Sequence, residues 1–305
     1  MSVVIKVDPS TLKKIQQHYG SVGTLPPGAV FRNKTNGVTI TGYKSGKVMF
    51  QGQNEDREAK RWSNTAPSTG ASSQPKLAGS NGNLPVGLAG MSVLGSDEVG
   101  TGSYFGPLTA AATYVSAENI AQVKALGIAD SKTLTDKAMQ TMAESLITFI
   151  PYHVVNILPK KYNELNQRLN ANEMKAFAHN LALGKVLEKI RPVQPDAILI
   201  DQFTQPNTYW KYLRNVDGVV KQNVYFTTKG EQYHLAVAAA SVIARYVELQ
   251  TMATLSDQAG INLPVGAGSA VDKVAAQLLK NGQDLHDYTK YHFANTDKAI
   301  ALARR

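Results

Sequence analysis

The chain has 305 residues, no cysteine, and 32 Lys+Arg against 23 Asp+Glu, for a formal charge of +9. That length suits one large domain or two, and the missing cysteines exclude a disulfide framework, a thiolate zinc site and a cysteine nucleophile. The most apolar run, residues 235–244, is too short to cross a membrane, which takes roughly 20 residues.

Residues 1–62 carry ten cations and four acids, a disproportionate share of the surplus charge. Residues 3–7 are a short β-rich run. Asp8-Pro9 then pairs an N-cap with a proline at the first helical position, and Leu12, Ile15 and Tyr19 recur at helical spacing before Gly20. Strands are predicted over residues 29–32, 38–43 and 48–50, separated by the turns Asn36-Gly37 and Ser45-Gly46, with a helix over 54–62. The result is a small, basic α+β domain spanning residues 1–62. Residues 63–90 follow as a flexible linker, rich in Ser, Gly, Asn, Pro and Ala, which cannot bury enough apolar surface to order itself. A coil of this composition reaches roughly 25–30 Å.

Residues 91–305 alternate strand-like and helix-like segments, which argues for an α/β domain with a central sheet. Strands are predicted at 92–94, 108–115, 153–158 and 197–200, the last buried on both faces. Helices are predicted over 137–150, 172–190, 231–255 and 271–279.

The most informative stretch runs from Gly95 to Pro107, where Asp97 and Glu98 stand between an apolar strand and a loop containing Gly100 and Gly102. A dinucleotide-binding loop needs a third glycine, and Phe105 occupies that position. Adjacent carboxylates suit a hard cation such as Mg²⁺, and the glycines let backbone N–H groups approach a phosphate or sugar. Asp201 ends the apolar strand 197–200, where open α/β sheets display functional groups, although a strand-end Asp also serves as a turn cap. Glu231 offers a carboxylate from a third region or caps its helix. His234 reads as a packed or hydrogen-bonded helix residue, because no second Glu-x-x-His exists to make a di-metal bundle site. Asp130, Ser131 and Lys132 are placed either to contact phosphate or to cap a loop, and Tyr209-Trp210 either to stack on bases or to pack on the domain. No P-loop, His-Glu-x-x-His or Gly-x-Ser-x-Gly pattern is present.

Taken in order, Gly95-Ser-Asp-Glu-Val-Gly-Thr-Gly, Asp130-Ser-Lys-Thr-Leu-Thr135, Ile198-Leu-Ile-Asp201, Lys229-Gly-Glu, the run His234 to Arg245, Gly266-Ala-Gly-Ser269 and Lys290-Tyr-His-Phe293 resemble ribonuclease HIII, a bacterial branch of the type 2 ribonucleases H. The likeness covers about residues 91–296. The basic first domain is similar to that family's substrate-binding domain, which resembles half of a TATA-binding protein.

The resemblance implies a ribonuclease H fold, a mixed five-stranded sheet flanked by helices, and an endonuclease that cuts the RNA strand of RNA–DNA hybrids to leave 5′-phosphate and 3′-hydroxyl ends. Asp97, Glu98, Asp201 and Glu231 fall on the family's catalytic metal ligands and would hold two Mg²⁺ or Mn²⁺ ions; the fourth is Asp in many relatives. Gly100, Thr101 and Gly102 match the loop that touches the hybrid, and Ser131 and Lys132 are further substrate-binding candidates. Ser103 stands where Asp is common in this branch, and Val265 where Lys is common. A cytoplasmic monomer with no membrane association and no obligate protein partner is expected. Two alternatives are incision at single ribonucleotides in DNA, as in ribonuclease HII, and a non-catalytic nucleic-acid-binding protein. The long first domain and Gly-Thr-Gly in place of Gly-Arg-Gly speak against the former, and three carboxylate segments against the latter.

Overall fold

The structure, a computed structural model, describes residues 2–21, 25–26, 28–35, 37–52, 55–62, 84–128 and 135–304. The chain divides into two compact units, Met1–Pro75 and Lys76–Arg305.

The first unit contains strands β1 (Ser2–Lys6), β2 (Ala29–Thr35), β3 (Val38–Tyr43) and β4 (Lys47–Gly52) with helices α1 (Pro9–Tyr19) and α2 (Glu55–Lys60). The strands form one antiparallel sheet in the order β1-β4-β3-β2. Asp8 caps α1 by accepting from the backbone N–H groups of Ser10 and Thr11, as the Asp-Pro pair predicts. Ile15 and Tyr19 of α1 bury against Phe31, Ile40, Val48 and Phe50, so alternate residues of each strand face the helix. The positions opposite these include exposed Arg32, Lys34 and Lys47.

The second unit is built on β5 (Val93–Val99), β6 (Leu108–Val115), β7 (Tyr152–Ile157), β8 (Ala197–Asp201) and β9 (Val224–Thr227). Their order is β7-β6-β5-β8-β9. The pairs β7/β6 and β6/β5 are antiparallel, while β5/β8 and β8/β9 are parallel. This is the mixed five-stranded sheet that the resemblance implies. Helices α3 (Ile120–Ala125), α4 (Asp136–Leu146), α5 (Pro159–Asn166), α6 (Ala171–Lys189), α7 (Pro206–Tyr212), α8 (Leu235–Ala259), α9 (Ser269–Lys280) and α10 (Asn295–Ala303) complete it.

Period-two alternation divides the sheet cleanly. Val93, Ala111, Val115, Ala197 and Leu199 bury on the side of α8 and α4. Leu94, Ala112, Ile198 and Ile200 bury on the side of α6 and α7, together with Tyr209 and Trp210. A third cluster joins Tyr104 and Phe105 to the end of α8, α9 and Leu285.

Two expectations need correction. The predicted helix 231–255 begins at Leu235 instead, because His234 is extended and caps it, and Glu231 lies in a separate 3₁₀ turn, Gly230–Gln232. Residues 63–83 of the expected linker lie outside the described residues, as do Asp130, Ser131 and Lys132. At the end of that expected linker, Leu88 is buried in the 3₁₀ turn Leu88–Gly90 and packs with Val93 and Val115, so ordered structure starts before residue 91. Burying an apolar side chain so close to a strand is worth more than leaving it in water.

Candidate active site

Strand order brings three of the sequence-predicted acids to neighbouring strand ends. β5 and β8 run parallel with Ser96 opposite Ile200, so Asp97 and Asp201 follow at the same level on adjacent strands. β8 pairs with β9 with Asp201 opposite Thr227. The chain then turns through Lys229, held at φ 58°, and the Gly230 N–H donates to Asp201 Oδ1 at 2.7 Å. Glu231 follows directly, close enough for its charge to act on Asp201.

The adjacent acids Asp97 and Glu98 have different surroundings because successive residues of a strand face opposite sides of the sheet. Asp97 lies on the α8 side, with the Ser241 hydroxyl as a partner and the Glu98 N–H donating to Oδ1 at 2.7 Å. Burial, reinforced by the charges of Asp201 and Glu98, pushes the Asp97 carboxyl up to about 7. Asp201 is raised as well, by burial and by the charges of Glu98 and Glu231. Glu98 lies on the α6 side. There burial opposes its charge, but His179 and Lys175 outweigh burial and hold the carboxyl below its ordinary value. Lys175 Nζ donates to Oε1 at 3.1 Å, and His179 Nε2 lies 2.8 Å from Oε2. Ser96, two residues earlier on the same face, meets His179 Nδ1 at 2.8 Å.

Among the described residues, no three acid or histidine side chains converge as they would around a metal ion. The donor chemistry nevertheless fits a hard divalent cation. Carboxylates crowd at adjoining strand ends, and two of them are driven toward the protonated form by burial and mutual repulsion. A bound cation removes both penalties. Glu98 accepts one contact on each oxygen from Lys175 and His179, which leaves each oxygen a lone pair for such a site.

The glycine loop stands beside these acids. Gly100 has φ 84°, and a Cβ there would lie 2.3 Å from the Pro107 carbonyl oxygen, so the fold itself demands glycine. Gly102 is exposed, and a Cβ would meet nothing within 4 Å. Ser103 and the loop after α8 come together, with the Gly266 N–H donating to Ser103 Oγ at 3.3 Å. His234 is a structural cap. Its Nδ1 accepts from the Ala236 N–H at 3.0 Å and its Nε2 donates to the Met91 carbonyl at 3.1 Å.

Sequence reasoning missed Ser96, Lys175, His179 and Ser241. The i, i+4 spacing of Lys175 and His179 on a helix otherwise rich in buried alanine was the available signal.

Comparison with known proteins agrees with this architecture. A family model described as Ribonuclease HII matches residues 94–296, and one described as a domain of unknown function (DUF3378) matches residues 2–75. The chain is 54% identical to the Ribonuclease HIII of Leuconostoc mesenteroides over 99% of its own length and 100% of that relative. It is 50% identical to the Ribonuclease HIII of Limosilactobacillus fermentum over the whole of both chains. The crystal structure of Bst-RNase HIII in complex with Mn²⁺ superposes with a TM-score of 0.72, at 40% identity and full coverage of both chains. With one family model covering more than half of the sequence and relatives of this identity matched end to end, the chain belongs to the ribonuclease HIII family.

Proposed function

We propose that the protein is an endoribonuclease that hydrolyses the RNA strand of RNA–DNA hybrids, with Asp97, Glu98, Asp201 and Glu231 as its metal-holding acids. The observation that carries the site assignment is the crowding of Asp97, whose carboxyl is pushed up to about 7 by burial and by Asp201 and Glu98. A protein gains nothing in stability from such an arrangement, and perturbed acids of this kind cluster at functional sites. The family membership and the Mn²⁺ complex of Bst-RNase HIII support a divalent ion, Mg²⁺ or Mn²⁺, at these residues.

When bound, a pair of such ions supplies an activated water and neutralises charge at the leaving oxygen. The chain's own residues supply the rest. Asp97 and Asp201 present oxygens on one face of the sheet, and Glu231 approaches from the turn beyond β9. Lys175 and His179 fix the Glu98 side chain in one orientation. Thr101 and the bare backbone of Gly100 and Gly102 meet the hybrid, where RNA is told from DNA by its 2′-hydroxyl. Ser131 and Lys132 contribute further phosphate contacts in this reading. The basic residues 1–62 act as a second grip on the phosphate backbone, joined to the catalytic part by the Ser- and Gly-rich segment that follows them. No helix among the described residues is long and apolar enough to cross a membrane. The reading makes the enzyme a cytoplasmic monomer.

The test is gel-resolved cleavage of an end-labelled RNA–DNA hybrid beside a DNA duplex holding one ribonucleotide. Cuts along the hybrid RNA with the other duplex intact are expected. Asp97→Asn is expected to slow hybrid cleavage about a thousandfold, about 4 kcal/mol of transition-state stabilisation. Normal cleavage by that variant would sink the metal assignment. Incision at the lone ribonucleotide would move the substrate toward that of ribonuclease HII.

A further inference from the structure

Lys290 is fully buried, and among the described residues no carboxylate forms an ion pair with it. Its Nζ donates instead to two main-chain carbonyls, Ser103 O and Gly106 O, each at 2.8 Å, with the Tyr162 ring 5.7 Å away. Burial pushes its pKa down to about 7, partly offset by the charge of Glu248. A neutral amine still has two N–H donors, so both contacts survive loss of the proton.

The two carbonyls flank the segment that follows the glycine loop. The same segment pairs with the backbone around Lys290. Phe105 bridges Thr289, the Gly106 N–H donates to Tyr288 O, and the Lys290 N–H donates to Tyr104 O. The Tyr104 N–H donates to Gly266 O, and the Ser103 N–H closes a turn onto Gly100 O at 3.2 Å. Gly100–Gly102 therefore hang from an anchor that starts at the next residue, and one side chain grips that anchor at both ends. An apolar side chain of this length would fill the space without the cost of burying an amine. It could not fix the two carbonyls.

We propose that Lys290 is a positioning residue for the hybrid-cleaving reaction, holding the 103–106 anchor so that Gly100, Thr101 and Gly102 keep a fixed height against the substrate. This rests on the function proposed above. Lys290 does not touch substrate; it acts through the loop.

The experiment compares the full-length wild type with Lys290→Met in steady-state hybrid cleavage with Mg²⁺, together with amide hydrogen exchange over residues 100–106. Lys290→Met is expected to raise KM about tenfold while kcat changes less than about threefold. Exchange over 100–106 is expected to quicken about tenfold, with β5 unchanged. A purely structural role would lower the fraction of active enzyme and with it the apparent kcat, leaving KM alone, and that result would overturn the proposal. Faster exchange with an unchanged KM would also overturn it, because the loop would then be loosened without consequence for substrate. Slow exchange in the variant would overturn the clamp itself, independently of any activity. A wild type that cuts no hybrid would overturn the functional reading and this role with it. Should Lys290→Met fail to fold, Lys290→Gln keeps two N–H donors on a shorter neutral arm; its KM is expected above that of wild type, and a wild-type KM would overturn the proposal.

Discussion

Gly100 and Gly102 stand two residues apart and are glycine for different reasons. At Gly100 the backbone is left-handed and the Pro107 carbonyl fills the place of a Cβ. At Gly102 neither constraint applies, so nothing in the fold requires a missing side chain. A glycine without a folding reason in a loop beside crowded acids is best explained by a ligand that must approach the backbone. Gly102→Ala is therefore expected to leave the thermal midpoint within about 1–2 °C of wild type while raising KM for the hybrid. Equal losses in stability and affinity would assign Gly102 to the fold. A second residue argues about pH. Burial holds His234 neutral, with its pKa down to about 4 against an ordinary 6.5, and as a neutral ring it caps α8 and reaches Met91. The unfolded chain thus takes up this proton first as pH falls. Its contribution is intact above about pH 6.5 and is lost progressively down to about pH 4. Moving from about pH 7.5 to about pH 5 is expected to cost about 2 kcal/mol through this residue. Urea unfolding at the two pH values checks it: His234→Asn should show a shallower dependence than wild type, and identical slopes would remove His234 as the cause.

At the scale of elements, the catalytic part depends on how closely α8 approaches β5. Gly95 lies under the first turn of that helix, and a Cβ there would sit 2.4 Å from the Val237 backbone nitrogen. The contact is with main chain, which cannot rotate aside. Gly95→Ala is accordingly expected to destabilise by about 2–3 kcal/mol and to shift the site, since Asp97 is two residues along the same strand. Differential scanning calorimetry checks the first part, and a wild-type midpoint would contradict it. This packing also marks what the sequence made legible. The apolar runs of β6 and β8 and the Asp-Pro start of α1 each carry a local cause and were readable from residues alone. The short helices α3, α5 and α7, the terminal α10 and the four-residue β9 were not read. Two of them are held by what they pack on: β9 is a strand through its parallel pairing with β8, and Tyr209 of α7 is buried among Phe203, Trp210 and Phe226. The same distinction runs through the site. Asp97, Glu98, Asp201 and Glu231 stood out by their places beside strands and glycines. The partners of Glu98 come from a helix some eighty positions away, brought in only by the β5–α6 packing.

For the whole molecule the question is what the surplus of cations does. A sheet with one face covered by helices leaves the other to solvent, and on the small sheet that other face carries Arg32, Lys34 and Lys47. Cation repulsion on one surface costs stability, and none of the three takes part in a salt bridge found among the described residues. A phosphate backbone relieves that repulsion while releasing its counterions. Each phosphate so neutralised steepens the fall of binding with salt by about 0.9 in the logarithmic slope, for a B-form duplex. Replacing Arg32, Lys34 and Lys47 together by Ala in the full-length chain is expected to flatten the slope by up to about 3. It should also weaken hybrid binding at low salt and leave kcat at saturating hybrid unchanged, because the acids lie in the other unit. Binding of catalytically silent Asp97→Asn protein to hybrid at several salt concentrations, with and without the three replacements, measures this directly. An unchanged slope would show that the first unit's basic face does not meet the nucleic acid, and would leave the second unit to supply the whole electrostatic grip.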